Sequence, residues 1–152
     1  MSNNIDTIKL TGRVVVKLND AVVRDIPNLV VTVGKEWLLQ RINSTTVTPA
    51  LMSYIALGNA ANSPTAEDTQ LASEIAASRA ELTWSITGAS ITYTASWFGG
   101  SPILVNQADN HAIAEAGIFN DVAAGTMLAR TTFAVVNKGA SDALTITWTI
   151  SI

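Results

Sequence analysis

The last nine residues alternate without a fault: Leu144, Ile146, Trp148, Ile150 and Ile152 fall on one side, and Thr145, Thr147, Thr149 and Ser151 on the other. A period of two marks a half-buried strand, and no helical face can be drawn through it. Two more strand-like runs precede it, Ala112–Phe119 and Met127–Val136. Asn120–Gly125 separates them and Asn137–Asp142 follows, both rich in turn formers. Joined as an antiparallel meander, the runs have a definite register. Pairing Phe119 with Thr126 sets Glu115 directly across from Arg130, and pairing Val136 with Ala143 sets Phe133 opposite Ile146 and Val135 opposite Leu144. One face then collects Ala114, Ala116, Ile118, Met127, Phe133, Ile146, Trp148 and Ile150, and the other Glu115, Arg130, Thr147 and Thr149. A slip by one residue would destroy that agreement.

The rest of the chain reads in the same idiom. Residues 1–10 hold Ile5, Ile8 and Leu10 at uneven spacing, as in an arm, a first edge strand or a frayed terminus. Gly12–Leu18 and Ala21–Ile26 flank Asn19-Asp20, a two-residue turn suited to positive φ, and so predict a hairpin. Pro27-Asn28 interrupts it and Leu29–Val33 resumes extended. Gly34–Asn43 predicts the one helix, with Thr32 as its cap and Trp37, Leu38, Arg41 and Ile42 at helical spacing. Tyr54–Gly58 predicts a short buried strand. Asn59–Thr69, with Pro64 and the acidic pair Glu67-Asp68, predicts a long surface loop that binds something or is held by a neighbour. Leu71–Ala77 fits a helical turn or extended chain equally well. Glu81–Thr87 and Ser90–Phe98 form a second hairpin around Gly88-Ala89, and Ile103–Val105 is a short apolar run. The fold class this predicts is all-β: a jelly-roll-like β-sandwich of about eight strands with one short helix. Residues 1–27 read as an N-terminal arm and hairpin, and residues 28–152 as the sandwich domain.

Composition narrows the function classes. A chain of 152 residues is one domain, long enough to bury a core without disulfides or metal. The absence of cysteine removes disulfides, Cys-ligated zinc and thiol nucleophiles together. A net charge of −3 and scattered basic residues argue against nucleic-acid binding. Met1–Lys9 is polar and carries acid, unlike a secretion signal, and no apolar run approaches the ~18–20 residues that span a bilayer, so no membrane partner is expected. Only 14% of residues are charged while 48% are hydrophobic, a balance that points to a surface partly covered by partners.

Catalytic constellations are hard to draw. The one histidine, His111, lies in a predicted loop without a Gly-x-Ser-x-Gly elbow. No two of the twelve acids sit in a recognisable glycosidase setting. Asp109, His111 and Glu115 outline a metal site, but Arg130 across the strand explains Glu115 better. Gly99-Gly100 does not lead into a phosphate-binding helix. No catalytic, cofactor-binding or metal-ligating residue is therefore assigned. Glu115 and Arg130 read as a structural pair, which Arg79 could join. Trp84, Tyr93, Trp97 and Trp148 suit a sugar-stacking platform or, better for at least two of them, core packing.

An ordered set of segments carries a resemblance. It runs Asn28-Leu29-Val30-Val31, Gly34-Lys35 and Leu38-Leu39, then Tyr54-Ile55-Ala56-Leu57-Gly58-Asn59, then Asp68-Thr69-x-Leu71 with Arg79. Glu115-Ala116-Gly117-Ile118-Phe119-Asn120, Met127-Leu128-Ala129-Arg130 and Ile146-Thr147-Trp148-Thr149-Ile150 complete it. Over residues 28–152 the chain resembles small structural proteins of tailed bacteriophages, the capsid decoration (cement) proteins and related tail-fibre-like proteins. The resemblance implies a homotrimeric jelly-roll-like domain that adheres to the major capsid protein or another virion protein, on the capsid surface or the tail, without cofactor or chemistry. Attachment would then fall to the N-terminal residues Ile5, Ile8 and Leu10. The rival readings are a tail or baseplate fibre component with receptor-binding loops, and a carbohydrate-binding or hydrolytic domain.

Overall fold

The alternation of the C-terminal strand fixes the middle of one sheet. In the computed structural model, which describes residues 7–43, 46, 48–98 and 111–152, ten strands form two five-stranded antiparallel sheets around one core. The first sheet contains β1 (Thr11–Leu18), β2 (Ala21–Pro27), β6 (Thr83–Thr87), β7 (Ser90–Trp97) and β10 (Leu144–Ser151), in the order β2-β1-β10-β7-β6. The second contains β3 (Leu29–Val30), β4 (Tyr54–Gly58), β5 (Ala80–Glu81), β8 (His111–Phe119) and β9 (Met127–Lys138), in the order β3-β9-β8-β4-β5. The architecture is an all-β sandwich with a single helix, α1 (Thr32–Ile42), among the described residues.

On β10 the residues Leu144, Ile146 and Trp148 are fully buried, and Ile150 nearly so. Val14 and Val16 flank them on β1, and Tyr93, Ala95 and Trp97 on β7. Burying side chains of this size stabilises by about 1.5–3 kcal/mol each. Across the core the second sheet supplies Ile55, Leu57, Ile113, Ala116, Ile118, Phe133 and Val136. Asn19 and Asp20 turn the first hairpin at φ 50° and 66°, and Gly88 turns the second at φ 57°. The hairpins lie where the sequence pattern puts them.

The meander does not form. β8 and β9 pair, but β10 crosses to the first sheet and lies between β1 and β7. Phe133 and Ile146 therefore share the core from opposite sheets, and Val135 does not pair with Leu144. Residues 139–143 form an arch rather than a hairpin loop, stitched to the first turn. Asn19 donates to Asp142 Oδ1 at 2.8 Å, and Ala143 N–H donates to Asn19 Oδ1 at 2.9 Å.

Two bulges also move the β8–β9 register. Glu115 lies opposite Thr132, and Arg130 opposite Gly117, two residues from the predicted match. Beyond the irregularity at Ile118/Phe119, Met127 turns to the outer face, while Phe133 stays in the core. Nor is residue 27 a boundary. β1 is an inner strand, so residues 11–27 belong to the sandwich.

The helix begins two residues earlier than its pattern suggests, and Thr32 does not cap it. Val31 holds the cap position without a side-chain bond, and Thr32 N–H instead donates to Ala66 O at 2.8 Å. Gly34 permits this docking, since a Cβ there would collide with the Leu128 backbone of β9. Trp37 anchors the helix, buried and donating to Ala50 O at 2.8 Å. Leu71–Ala77 is neither a helical turn nor extended throughout: it bends at Ala72 and Ser73, makes one bridge from Glu74 to Gly58, and turns at Ala76-Ala77 with Ala77 at φ 57°. Ile5, Asp109 and the run Ile103–Val105 lie outside the described residues.

Candidate functional site

Two regions stand out from a routine sandwich, and the first is a buried ion pair. Alternation turns Glu115 and Arg130 away from the main core, onto the outer face of the second sheet, yet they are 0% and 1% exposed. Residues 59–79 lie across that face as a strap. Leu71 packs with Ala56, Phe119, Met127 and Val31 in a second apolar cluster beneath it. Arg130 reaches diagonally to Glu115 Oε2, with Nε at 2.9 Å and Nη2 at 2.8 Å. Its Nη1 donates to Asp68 Oδ2 at 2.9 Å and its Nη2 to Asn62 Oδ1 at 3.3 Å. Glu115 in turn accepts the backbone N–H groups of Ala72 at 3.1 Å and Ser73 at 2.7 Å. The carboxylate and guanidinium are thus occupied on every side by sheet and strap. The long loop has its own sheet as its neighbour.

Burial pushes the Asp68 carboxyl up, but hydrogen bonds from the Thr65 N–H and hydroxyl and the Arg130 guanidinium outweigh it. The net pKa falls below the ordinary 3.8. Arg79 does not join this cluster. It forks onto Glu74 at 2.8 and 3.1 Å, donates to the carbonyls of Asp121 and Ala124, and stacks 3.8 Å above the Phe119 ring. At the end of β9, Lys138 is 1% exposed, and burial lowers its pKa against the opposing pull of Asp142.

Every polar side-chain atom of Glu115 and Arg130 is already engaged within the fold. Glu115 has no free position for a metal, and among the described residues no three His, Cys, Asp or Glu side chains gather to hold one. No described helix is long and apolar enough to cross a membrane. Of the aromatic set, Tyr93, Trp97 and Trp148 are in the core, with Trp97 donating to Ser78 O at 2.7 Å. Burial raises the Tyr93 hydroxyl to about 12, so it stays protonated. Trp84 alone is exposed, at 55%.

The second region is apolar and open. Between α1 and the ends of β7 and β10 lies a cleft of about 310 Å³, lined by Leu10, Trp37, Leu38, Ile86, Ile91, Tyr93 and Ile152. It shares Leu10 and Leu38 with a groove running past Ile8, Leu29, Lys35, Leu39 and Ile42. Through Trp37 and Ile86 it continues to a smaller cleft at Leu51, Met52 and Trp84. Of the eleven exposed large hydrophobics among the described residues, seven, Ile8, Leu39, Ile42, Leu51, Trp84, Ile86 and Ile152, lie along this one surface, which is therefore a patch and not scatter. Of the N-terminal candidates, Ile8 is 75% exposed at one end of the groove, and Leu10 is half-buried where groove and cleft meet. Sequence reasoning missed the helix and edge-strand residues of the patch. The sequence held one signal, more apolar side chains on the short helix (Trp37, Leu38, Leu39 and Ile42) than one narrow face can bury; in the structure only Gly34 and Trp37 of the helix are buried.

No protein-family model matches this chain, and no curated protein or solved structure matches it.

Proposed function

We propose that this protein is a virion structural protein of a tailed bacteriophage that works by adhesion, without catalysis, as a decoration (cement) protein on the head shell. The observation that carries the reading is the continuous apolar surface at the helix end of the sandwich, where Ile8 and Leu10 lie with Leu39 and Ile42. A large contiguous apolar surface on a charge-poor domain is one made to be covered. The segment resemblance to decoration proteins supplies the identity of the partner, a major capsid protein, which the surface alone does not specify. Decoration by many copies needs only modest contacts per copy, because burial across shell subunits accumulates.

The test is quantitative detection of the chain on purified tailed-phage particles from a strain that encodes it. Hundreds of copies, removed from heads by Ile8→Asp with Leu39→Asp while the fold is retained, is the expected result. A handful of copies confined to tails moves the protein to the tail component reading. Absence from particles overturns both.

A further inference from the structure

The two outer edges of the first sheet are finished differently. At the β2 edge three devices that discourage strand addition are present: charge, proline and a bulge. Arg24 and Asp25 place charge on the strand, Pro27 closes it, and the β1–β2 register breaks at Val16/Lys17. Arg24 also closes the flank of the sandwich, donating to Ala134 O and Val135 O of β9 at 2.8 Å each. The β6 edge has none of this. Thr83-Trp84-Ser85-Ile86-Thr87 carries no charge and no proline, pairs with β7 in unbroken register, and is exposed at every residue. Its inward side chains, Trp84 and Ile86, stand over the open clefts beside Tyr93 and Ile91, and they are 55% and 64% exposed.

The five residues are also their own complement. Run antiparallel to a second copy about Ser85, Thr83 meets Thr87, Trp84 meets Ile86 and Ser85 meets itself. Aromatic against β-branched and Thr against Thr are favourable cross-strand pairs, and no charge meets a like charge. We infer that β6 is a self-association edge: Thr83–Thr87 of one copy pairs antiparallel with Thr83–Thr87 of a second, about a two-fold axis through Ser85. The pairing joins two five-stranded sheets into one of ten and brings Trp84 and Ile86 of each copy over the mouth that the single sandwich leaves open. This stands independently of any virion role.

The zero cysteine content makes the register directly readable. Opposed Cα atoms across an antiparallel pair lie ~4.5–5.5 Å apart, within the span of a disulfide. The full-length Ser85→Cys protein, incubated with oxidised glutathione as electron acceptor, is expected to convert mostly to a covalent dimer. Thr87→Cys, which faces Thr83 of the other copy, is not. Sedimentation velocity on the unmodified chain is expected to give an even multiple of the 16.0 kDa chain mass, halved by Ser85→Lys and unchanged by Val22→Lys at the guarded edge, with the circular dichroism of all three alike. A mass equal to one chain or three, a mass that Ser85→Lys leaves unchanged, or cross-linking no greater at 85 than at 87 overturns the proposal.

Discussion

The outer faces of the two sheets solve one problem in opposite ways. On the first sheet, the outward residues of β10 and β7 are Thr and Ser, half-buried, and they satisfy one another. Ser90 pairs with Ser151 at 2.6 Å, Thr92 with Thr149 at 3.1 Å and Ser96 with Thr145 at 3.0 Å. Water finishes the work, so no second layer is needed. On the second sheet, the corresponding face of β8 offers Glu115, Gly117 and Phe119, and residues 59–79 cover it. Covering that face encloses a charge, and enclosing a charge demands a partner of opposite sign. The molecule is brittle on one face only: the hydroxyl face degrades gracefully, whereas the strapped face fails if one residue is removed.

The largest expected effect is therefore at Arg130. Arg130→Ala strands a fully buried Glu115 and is expected to cost about 3–5 kcal/mol in urea unfolding. Arg130→Met combined with Glu115→Gln recovers only part of that loss, because Gln removes the stranded charge but can accept from only one of the Ala72 and Ser73 N–H groups. A loss below about 1 kcal/mol for Arg130→Ala would mean that Glu115 finds water, and that the strap is not closed in solution.

Gly58 probes the same covered face without removing a charge. A Cβ there would collide with the Glu115 side chain and, at 2.6 Å, with Ser73 O. Gly58→Ala is expected to cost about 1–3 kcal/mol, the usual range for overpacking a filled site. Faster proteolysis within residues 59–79 is the expected companion, because the added methyl lifts the strap before it disturbs the sheet. Unchanged cleavage with lowered stability would place the strain in β4 instead.

How much of this the sequence disclosed follows from the same contrast. Periodicity told which residues face the core: Leu144, Ile146 and Trp148 are buried, and Tyr54–Gly58 is a strand with the predicted bounds. It did not tell which sheet a strand joins, because both sheets of a sandwich face one core and the same alternation serves either. Phe133 and Ile146 satisfied the pattern equally well as neighbours or as opposites. The Glu115–Arg130 pair survives a two-residue register error because a shift of two keeps both on the same face, within diagonal reach. The strap was illegible from local pattern, since its bonds to Glu115 use backbone N–H groups that any residue carries. The one available hint was β8 itself: Ala-Ile-Ala-Glu-Ala-Gly-Ile-Phe is apolar on both sides, which signals cover on both. In the patch, Ile8 and Leu10 were legible as unplaced apolar residues, while nothing in the alternation of Trp84 and Ile86 marks them as exposed and not core-facing.

Acid separates the two faces more gently. Asp68 is bound to the strapped face through Arg130, and its carboxyl sits below its ordinary 3.8. A carboxylate whose pKa is lower folded than unfolded contributes stability that is complete above the unfolded value and lost as pH falls through the folded one. Asp25, Asp121 and Asp142 are lowered as well, so any variant retaining them also weakens in acid. The expected result is that the native chain loses more stability than Asp68→Asn between about pH 5 and about pH 2.5. Parallel curves would show that neither Thr65 nor Arg130 holds the Asp68 carboxyl down in solution.

The smallest effect is expected on the hydroxyl face, and its smallness is the point. Thr92 and Thr149 lie opposite each other and are both half-buried. Replacing both with valine keeps the shape, keeps a β-branched side chain and removes donor and acceptor together, an exchange that is close to neutral. A single Thr92→Val leaves Thr149 within reach of water, so it costs under about 1 kcal/mol, and the coupling energy of the pair stays under about 0.5 kcal/mol. The Glu115–Arg130 cycle, run alongside, is expected to show coupling several times larger, because neither of its partners has water to turn to. A Thr92–Thr149 coupling as large as that of the ion pair would mean that the hydroxyl rows are dry in solution. The outer face of the first sheet would then be covered too, and by something other than this copy of the chain.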